Sequence, residues 1–137
     1  MISQIIKPRV LLVDDESLFL ILYSEYLSNG GFEVVCERSP IEAIKRISLG
    51  EKFDLMITDI VMIEMNGWDL IDQIRNKLKI DEITLPVIVV SGYDSSAKEF
   101  DVLKHRANAF LIKKGSSVIE LLRQANLLVG RQVTSKS

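Results

Sequence analysis

The chain has 137 residues, 47% of them hydrophobic and 26% charged, the balance of one globular domain rather than a disordered or fibrous chain. Its 17 basic and 19 acidic residues leave a net charge of −2, which argues against a generally basic nucleic-acid binder, though not against a local patch, and no direct nucleic-acid partner is expected. Cys36 is the single cysteine, so no internal disulfide is available, and one cysteine with one histidine does not make a zinc site. With no apolar run of membrane-span length and no signal-peptide pattern at the N-terminus, a soluble, cytoplasmic protein without membrane contact is expected.

Period and punctuation predict alternating strands and helices. Val10-Leu11-Leu12-Val13 is a continuously apolar run that stops at Asp14-Asp15, as a strand buried on both faces does. Ser17 to Asn29 reads as a helix stopped by Gly30-Gly31. Phe32 to Cys36 is a second strand, and Pro40 opens a helix with Ile41, Ile44 and Ile47 along one face. Leu55-Met56-Ile57 is a third strand running into Thr58-Asp59. After a loop closed by Asn66-Gly67 comes a helix with Leu70, Ile71, Ile74 and Leu78 on one side. Pro86 to Val90 is the fourth strand, ending at Ser91-Gly92, and Ser96 to Arg106 a mostly polar helix. Ala109 to Ile112 is the fifth strand, ending at Lys113, and Ser116 to Val129 the last helix. Five β-α units in series predict a parallel sheet with helices on both faces, because crossovers are right-handed.

In an open parallel sheet, ligands bind beyond the carboxyl ends of the strands. Strand one ends in Asp14 and Asp15, strand three in Asp59, strand four in Ser91 and strand five in Lys113. Three crowded carboxylates repel one another, and each is pushed toward protonation unless a cation intervenes. A hard divalent ion with a preference for oxygen, commonly Mg²⁺, relieves that repulsion. A carboxylate beside such an ion is able to attack a phosphoryl group, while an ammonium and a hydroxyl neutralise the phosphoryl oxygens.

These residues, in this order, resemble those of a response-regulator receiver domain. The likeness rests on Val13-Asp14-Asp15, on Asp59 with Gly67 eight residues on, on Pro86 to Gly92, and on Ala109-Phe110-Leu111-Ile112-Lys113. It implies a flavodoxin-like (βα)5 fold, doubly wound, with strand order 2-1-3-4-5. It covers residues 8–130 as the domain, after an N-terminal extension (1–7), and the polar residues 131–137 beyond it are expected to be a frayed tail. By the same likeness Asp59 is the phosphoacceptor and Asp15 binds Mg²⁺ directly, with Mn²⁺ or Ca²⁺ as substitutes. Asp14 acts largely through bound water, and the main-chain carbonyl of Val61 is a further ligand. Ser91 and Lys113 hold the phosphoryl group, and Phe110 is the switch aromatic, turning inward when the Ser91 hydroxyl is drawn to phosphate. The implied partners are a histidine kinase or histidine phosphotransfer protein, a downstream target or an output domain in a longer chain, and a second copy in a homodimer. Phosphorylation then switches the face made by the fourth helix, fifth strand and fifth helix. Chemistry of this kind is self-directed, so no enzyme in the ordinary sense is expected.

The chain departs from the family twice. Ile63 stands where receivers usually have a proline four residues after the phosphoacceptor, and Lys114 where a cis-proline usually follows the lysine. A cis bond between Lys113 and Lys114 costs roughly 3–4 kcal/mol, so a trans bond and a locally altered loop are expected. Val61 and Tyr93, each two residues beyond Asp59 or Ser91, offer respectively no side-chain hydrogen bond to an attacking water and added bulk. Slow autodephosphorylation is the expectation.

Plainer readings stand beside these. Asp14 and Asp15 also suit an acidic turn before a helix, Asp59 a strand-end cap, Ser91 a turn and Phe110 the core. His105 reads as a solvated surface residue and Cys36 as an inert one. In the first helix Phe19, Leu22, Tyr23, Tyr26 and Leu27 fit an inward stripe, which leaves Leu18, Leu20 and Ile21 as an exposed apolar cluster and a candidate partner surface.

Other classes fit less well. A phosphatase of the aspartate-nucleophile type wants a second aspartate where Val61 stands, and a nucleotide carrier wants a Gly-rich loop where Asp14-Asp15 would repel a phosphate. The alternative is a pseudo-receiver, an unphosphorylated interaction module. The receiver pattern leaves no room in these residues for an output region. The expectation is either a stand-alone switch or a receiver belonging to a longer regulator or hybrid kinase.

Overall fold

The computed structural model describes residues 6–92, 98–113 and 117–130. Its sheet is parallel throughout and ordered β2-β1-β3-β4-β5, the order expected, from β1 (Arg9–Val13), β2 (Glu33–Glu37), β3 (Leu55–Thr58), β4 (Val87–Ser91) and β5 (Ala109–Ile112). Between and after the strands run α1 (Ser17–Asn29), α2 (Pro40–Ser48), α3 (Gly67–Asp72), α4 (Lys98–His105) and α5 (Ser117–Leu128). The tail from residue 131 and residues 1–5 of the extension lie outside the described residues.

The unbroken apolar runs of the central strands follow from burial on both faces. Val10, Leu12, Leu55, Ile57, Ile88 and Val90 point into one core with Leu20, Tyr23 and Leu27 of α1 and Val118, Leu121 and Ala125 of α5. Their strand neighbours Leu11, Val13, Met56, Val87 and Val89 point into the other, against Ala43 and Ile47 of α2 and Leu70, Ile71 and Ile74 beyond. Local chemistry starts and stops the helices. Ser39 and Asn66 cap α2 and α3 by accepting from the N–H groups of Glu42 (3.2 Å) and Asp69 (2.8 Å). Gly31, at φ 92°, takes the left-handed turn that carries the chain out of α1.

The structure corrects the reading of α1. Leu20 is buried, 7% exposed, with Tyr23 and Leu27 on the same face, while Leu22 and Tyr26, expected inside, are each 41% exposed. The spacing Leu20, Tyr23, Leu27 sets the inward stripe, with Phe19 at its flank. Leu20 therefore leaves the candidate partner surface, and the outward apolar face is Leu18, Ile21, Leu22 and Tyr26. A helix this rich in leucine and isoleucine carries apolar residues on every side, so composition alone did not fix its rotation.

The helix after Gly67 holds a second departure. After Asp72 it widens into a π-helical turn over Gln73–Lys77 that contains Arg75, a buried cation 3% exposed. The Arg75 guanidinium donates to the carbonyls of Ile80 (3.2 Å), Asp81 (3.0 Å), Leu85 (2.9 Å) and Arg106 (2.9 Å), and burial pulls its pKa below the usual arginine range. It ties the segment entering β4 to the turn that joins α4 to β5.

Candidate functional site

Three functional candidates are the first residues past their strands, and in each the backbone extends the sheet ladder by one bond. Asp14 N–H donates to the Glu37 carbonyl (3.1 Å), Asp59 N–H to Val13 (3.1 Å) and Lys113 N–H to Ser91 (2.8 Å). Their side chains thus leave from rigid backbone at one edge of the sheet. Asp14 and Asp59 are buried, 3% and 6% exposed, and the Lys113 side chain is 4% exposed.

The lysine organises the cluster. Its Nζ lies 2.8 Å from Asp14 Oδ2, 3.1 Å from Asp59 Oδ2 and 3.2 Å from Glu16 Oε1. Burial works against the ammonium, but its bonds to Asp14 and Asp59 outweigh that and hold Lys113 above the ordinary lysine range. For Asp14 the balance runs the other way. Burial raises its pKa despite the bonds from Lys113 and from the Glu16 N–H (2.9 Å), and the Asp59 charge adds to the rise.

Asp15 joins the pair, half-buried, and one carboxylate oxygen from each of Asp14, Asp15 and Asp59 lies within 4.8 Å of the others. Its Oδ2 accepts from the Ile63 N–H (3.2 Å), and Arg38 donates to its carbonyl (3.2 Å), so the loops after β2 and β3 both hold it. Three converging carboxylates are the donor set a small hard divalent cation takes. Val61 and Ile63, on the loop after Asp59, are 52% and 92% exposed. That loop is pinned by Gly67, whose N–H donates to the Ile60 carbonyl at 2.7 Å.

Ser91 ends β4 fully buried, paired in register with Ile112. Phe110 is half-buried and stacks on Trp68 of α3, ring centroids 6.4 Å apart. Trp68 in turn stacks on His105 at 5.0 Å, and His105 Nδ1 lies 2.8 Å from Asp72 Oδ1. His105, read as solvated, is therefore a packed residue, its side chain 15% exposed, because α4 lays it against α3. Cys36 is exposed, and burial of its thiol still raises its pKa. Tyr93, Lys114 and its bond to Lys113 lie outside the described residues, among which no peptide bond is cis.

Two neighbours of the site went unrecognised in the sequence. Glu16 contacts Lys113, and its position directly after two aspartates at a helix start was a usable signal. Phe19 places its ring 3.9 Å from Lys113 Nζ, a contact between residues far apart in the chain with no local pattern to announce it.

The model of the response regulator receiver domain matches residues 10–125 of this chain. The chain belongs to the response-regulator receiver family. Among its relatives, the chemotaxis protein CheY of Thermotoga maritima is 32% identical over 124 residues, covering 86% of this chain and 97% of that one. The two-component response regulator ORR3 of rice (Oryza sativa subsp. indica) is 32% identical over 107 residues, 78% of this chain and 80% of its own. The Francisella response regulator 1452 receiver domain superposes with TM-score 0.80 at 25% identity, covering 90% of this chain and 98% of that one. The response regulator TrrA of Thermotoga maritima, solved in complex with Mg(2+)-BeF, gives TM-score 0.76 at 27% identity over 88% of this chain and 98% of its own. This receiver domain thus serves two-component signalling. Among its described residues no helix is long and apolar enough to cross a membrane.

Proposed function

We propose that this receiver domain takes a phosphoryl group on Asp59 from a phosphohistidine of a histidine kinase or phosphotransfer protein, and acts as a switch rather than as an enzyme with an external substrate. The observation that carries the reading is the buried contact of Lys113 with both Asp14 and Asp59 at the ends of three strands. A carboxylate oxygen of Asp59 attacks phosphorus. The new P–O bond forms as the P–N bond breaks, and the electron pair leaves on the imidazole nitrogen, which then takes a proton from solvent.

Asp14, Asp15, Asp59 and the main-chain carbonyl of Val61 would hold Mg²⁺, which when bound neutralises charge on the phosphoryl oxygens. Lys113 exchanges its bond to Asp59 for one to a phosphoryl oxygen. The Ser91 hydroxyl takes another, and its shift releases Phe110 to move inward from the Trp68 stack, altering the face of α4, β5 and α5. That face then meets a downstream target. The outward face of α1, Leu18, Ile21, Leu22 and Tyr26, lies beside the site and suits docking of the phosphodonor.

The direct test is intact mass after incubation with acetyl phosphate and Mg²⁺. The native chain should gain one phosphoryl group and Asp59→Asn should gain none. No gain in the native chain overturns the proposal in favour of an unphosphorylated interaction module.

A further inference from the structure

The role of α1 reaches beyond an outward docking face. Lys113 has three N–H donors, and three carboxylates, Asp14, Asp59 and Glu16, lie within reach of them. The Phe19 ring stands 3.9 Å from the same nitrogen, a distance at which the negative face of the ring attracts a cation, most strongly where water is excluded. Phe19 is held by its neighbour one turn on. Its ring packs on Tyr23 at 5.5 Å, and Tyr23, 2% exposed, reaches Ser117 Oγ at 3.4 Å across the α1–α5 seam of the core those two helices share. Phe19 and Tyr23 therefore meet the β5–α5 connection at both of its described ends, Lys113 and Ser117. The residue that follows Lys113 in the sequence is Lys114, not a proline.

We infer that Phe19 is a positioning residue for phosphoryl transfer. Its ring holds the Lys113 ammonium at the phosphoryl position, and Tyr23 anchors that ring against the start of α5. With the ring in place, the lysine exchanges a carboxylate oxygen for a phosphoryl oxygen without swinging. Without it, the long lysine stem has rotamers open to it that carry the charge away from the site, and ordering them again slows the transfer. The inference rests on the phosphoacceptor role of Asp59.

The test compares Phe19→Leu, which keeps apolar bulk but removes the ring, with Phe19→Trp, which restores an aromatic face. Phosphorylation of Asp59 by acetyl phosphate, measured at saturating Mg²⁺, should slow about ten-fold in Phe19→Leu and recover in Phe19→Trp. In a Lys113→Met background Phe19→Leu should produce no further slowing, because the charge that the ring holds is gone. Equal slowing in that background, or none in the native one, overturns the inference. A second readout needs no phosphorylation: the Lys113 Hε resonances should carry an upfield ring-current shift that Phe19→Leu abolishes. If the native chain takes no phosphoryl group, the phosphoacceptor reading has failed by itself. A native Lys113 without the ring-current shift overturns the placement of Phe19 independently.

Discussion

Lys113 and Asp14 face each other at 2.8 Å with 4% of each side chain exposed, yet the carboxyl in this ion pair is harder to ionise than a free one. Desolvation outweighs the lysine's pull on Asp14. Because the folded pKa lies above the unfolded one, the ionised carboxylate costs stability above the folded pKa, and the cost vanishes below the unfolded value. Asp14→Asn should therefore stabilise the metal-free domain at neutral pH by about 1 kcal/mol, a rise of roughly 4 °C in Tm. The gain should shrink toward about pH 4, where the native carboxyl is also neutral. Thermal melts across that range in EDTA check the sign, and a titration with Mg²⁺ should show affinity reduced at least about ten-fold.

The Asp59 carbonyl occupies the space a side chain at residue 67 would need. A Cβ on Gly67 would stand 2.1 Å from that oxygen and 3.1 Å from the Ile60 Cα, both backbone atoms that do not rotate aside. Gly67→Ala should cost roughly 3 kcal/mol in denaturant unfolding. It should also slow acetyl-phosphate labelling in whatever folded fraction remains, because relief of the clash moves the phosphoacceptor's own backbone. Unchanged labelling with lowered stability would separate the glycine from the site.

Arg75 satisfies four carbonyls from inside the fold, so its loss strands buried acceptors. Arg75→Met should lower unfolding free energy by about 3 kcal/mol by urea titration. Arg75→Lys should restore little of it, since a single ammonium lacks the planar fork that spans these oxygens. The Asp59, Asp14 and Lys113 cluster lies at the other edge of the sheet, so the extent of phosphorylation should be unchanged in either variant.

The sheet was legible because its central strands β1, β3 and β4 are buried on both faces and, like β5 at the edge, read as apolar runs stopped by a polar residue. The candidate site was legible for the same reason: Asp14, Asp59 and Lys113 stand at those stops. What escaped depends on rotation about an axis or on contact across the fold. The apolar richness of α1 hid which of Leu20 and Leu22 faces inward. The polar look of α4 hid that His105 packs on Trp68, and nothing in the run Gln73–Lys77 marks a widened turn or an arginine turned inward. Arginine is read as a surface residue by default, and only the carbonyls around Arg75 reverse that expectation.

The bond from Arg75 to the carbonyl of Arg106 also has a mechanical side. It fastens the α4–β5 turn at the edge of the sheet away from the carboxylates, at the end of α4 that carries His105. A helix clamped at one end and loaded at the other behaves as a cantilever. If phosphorylation of Asp59 tilts α4, the tilt should pivot at that clamp, and the sideways travel should be least at His105.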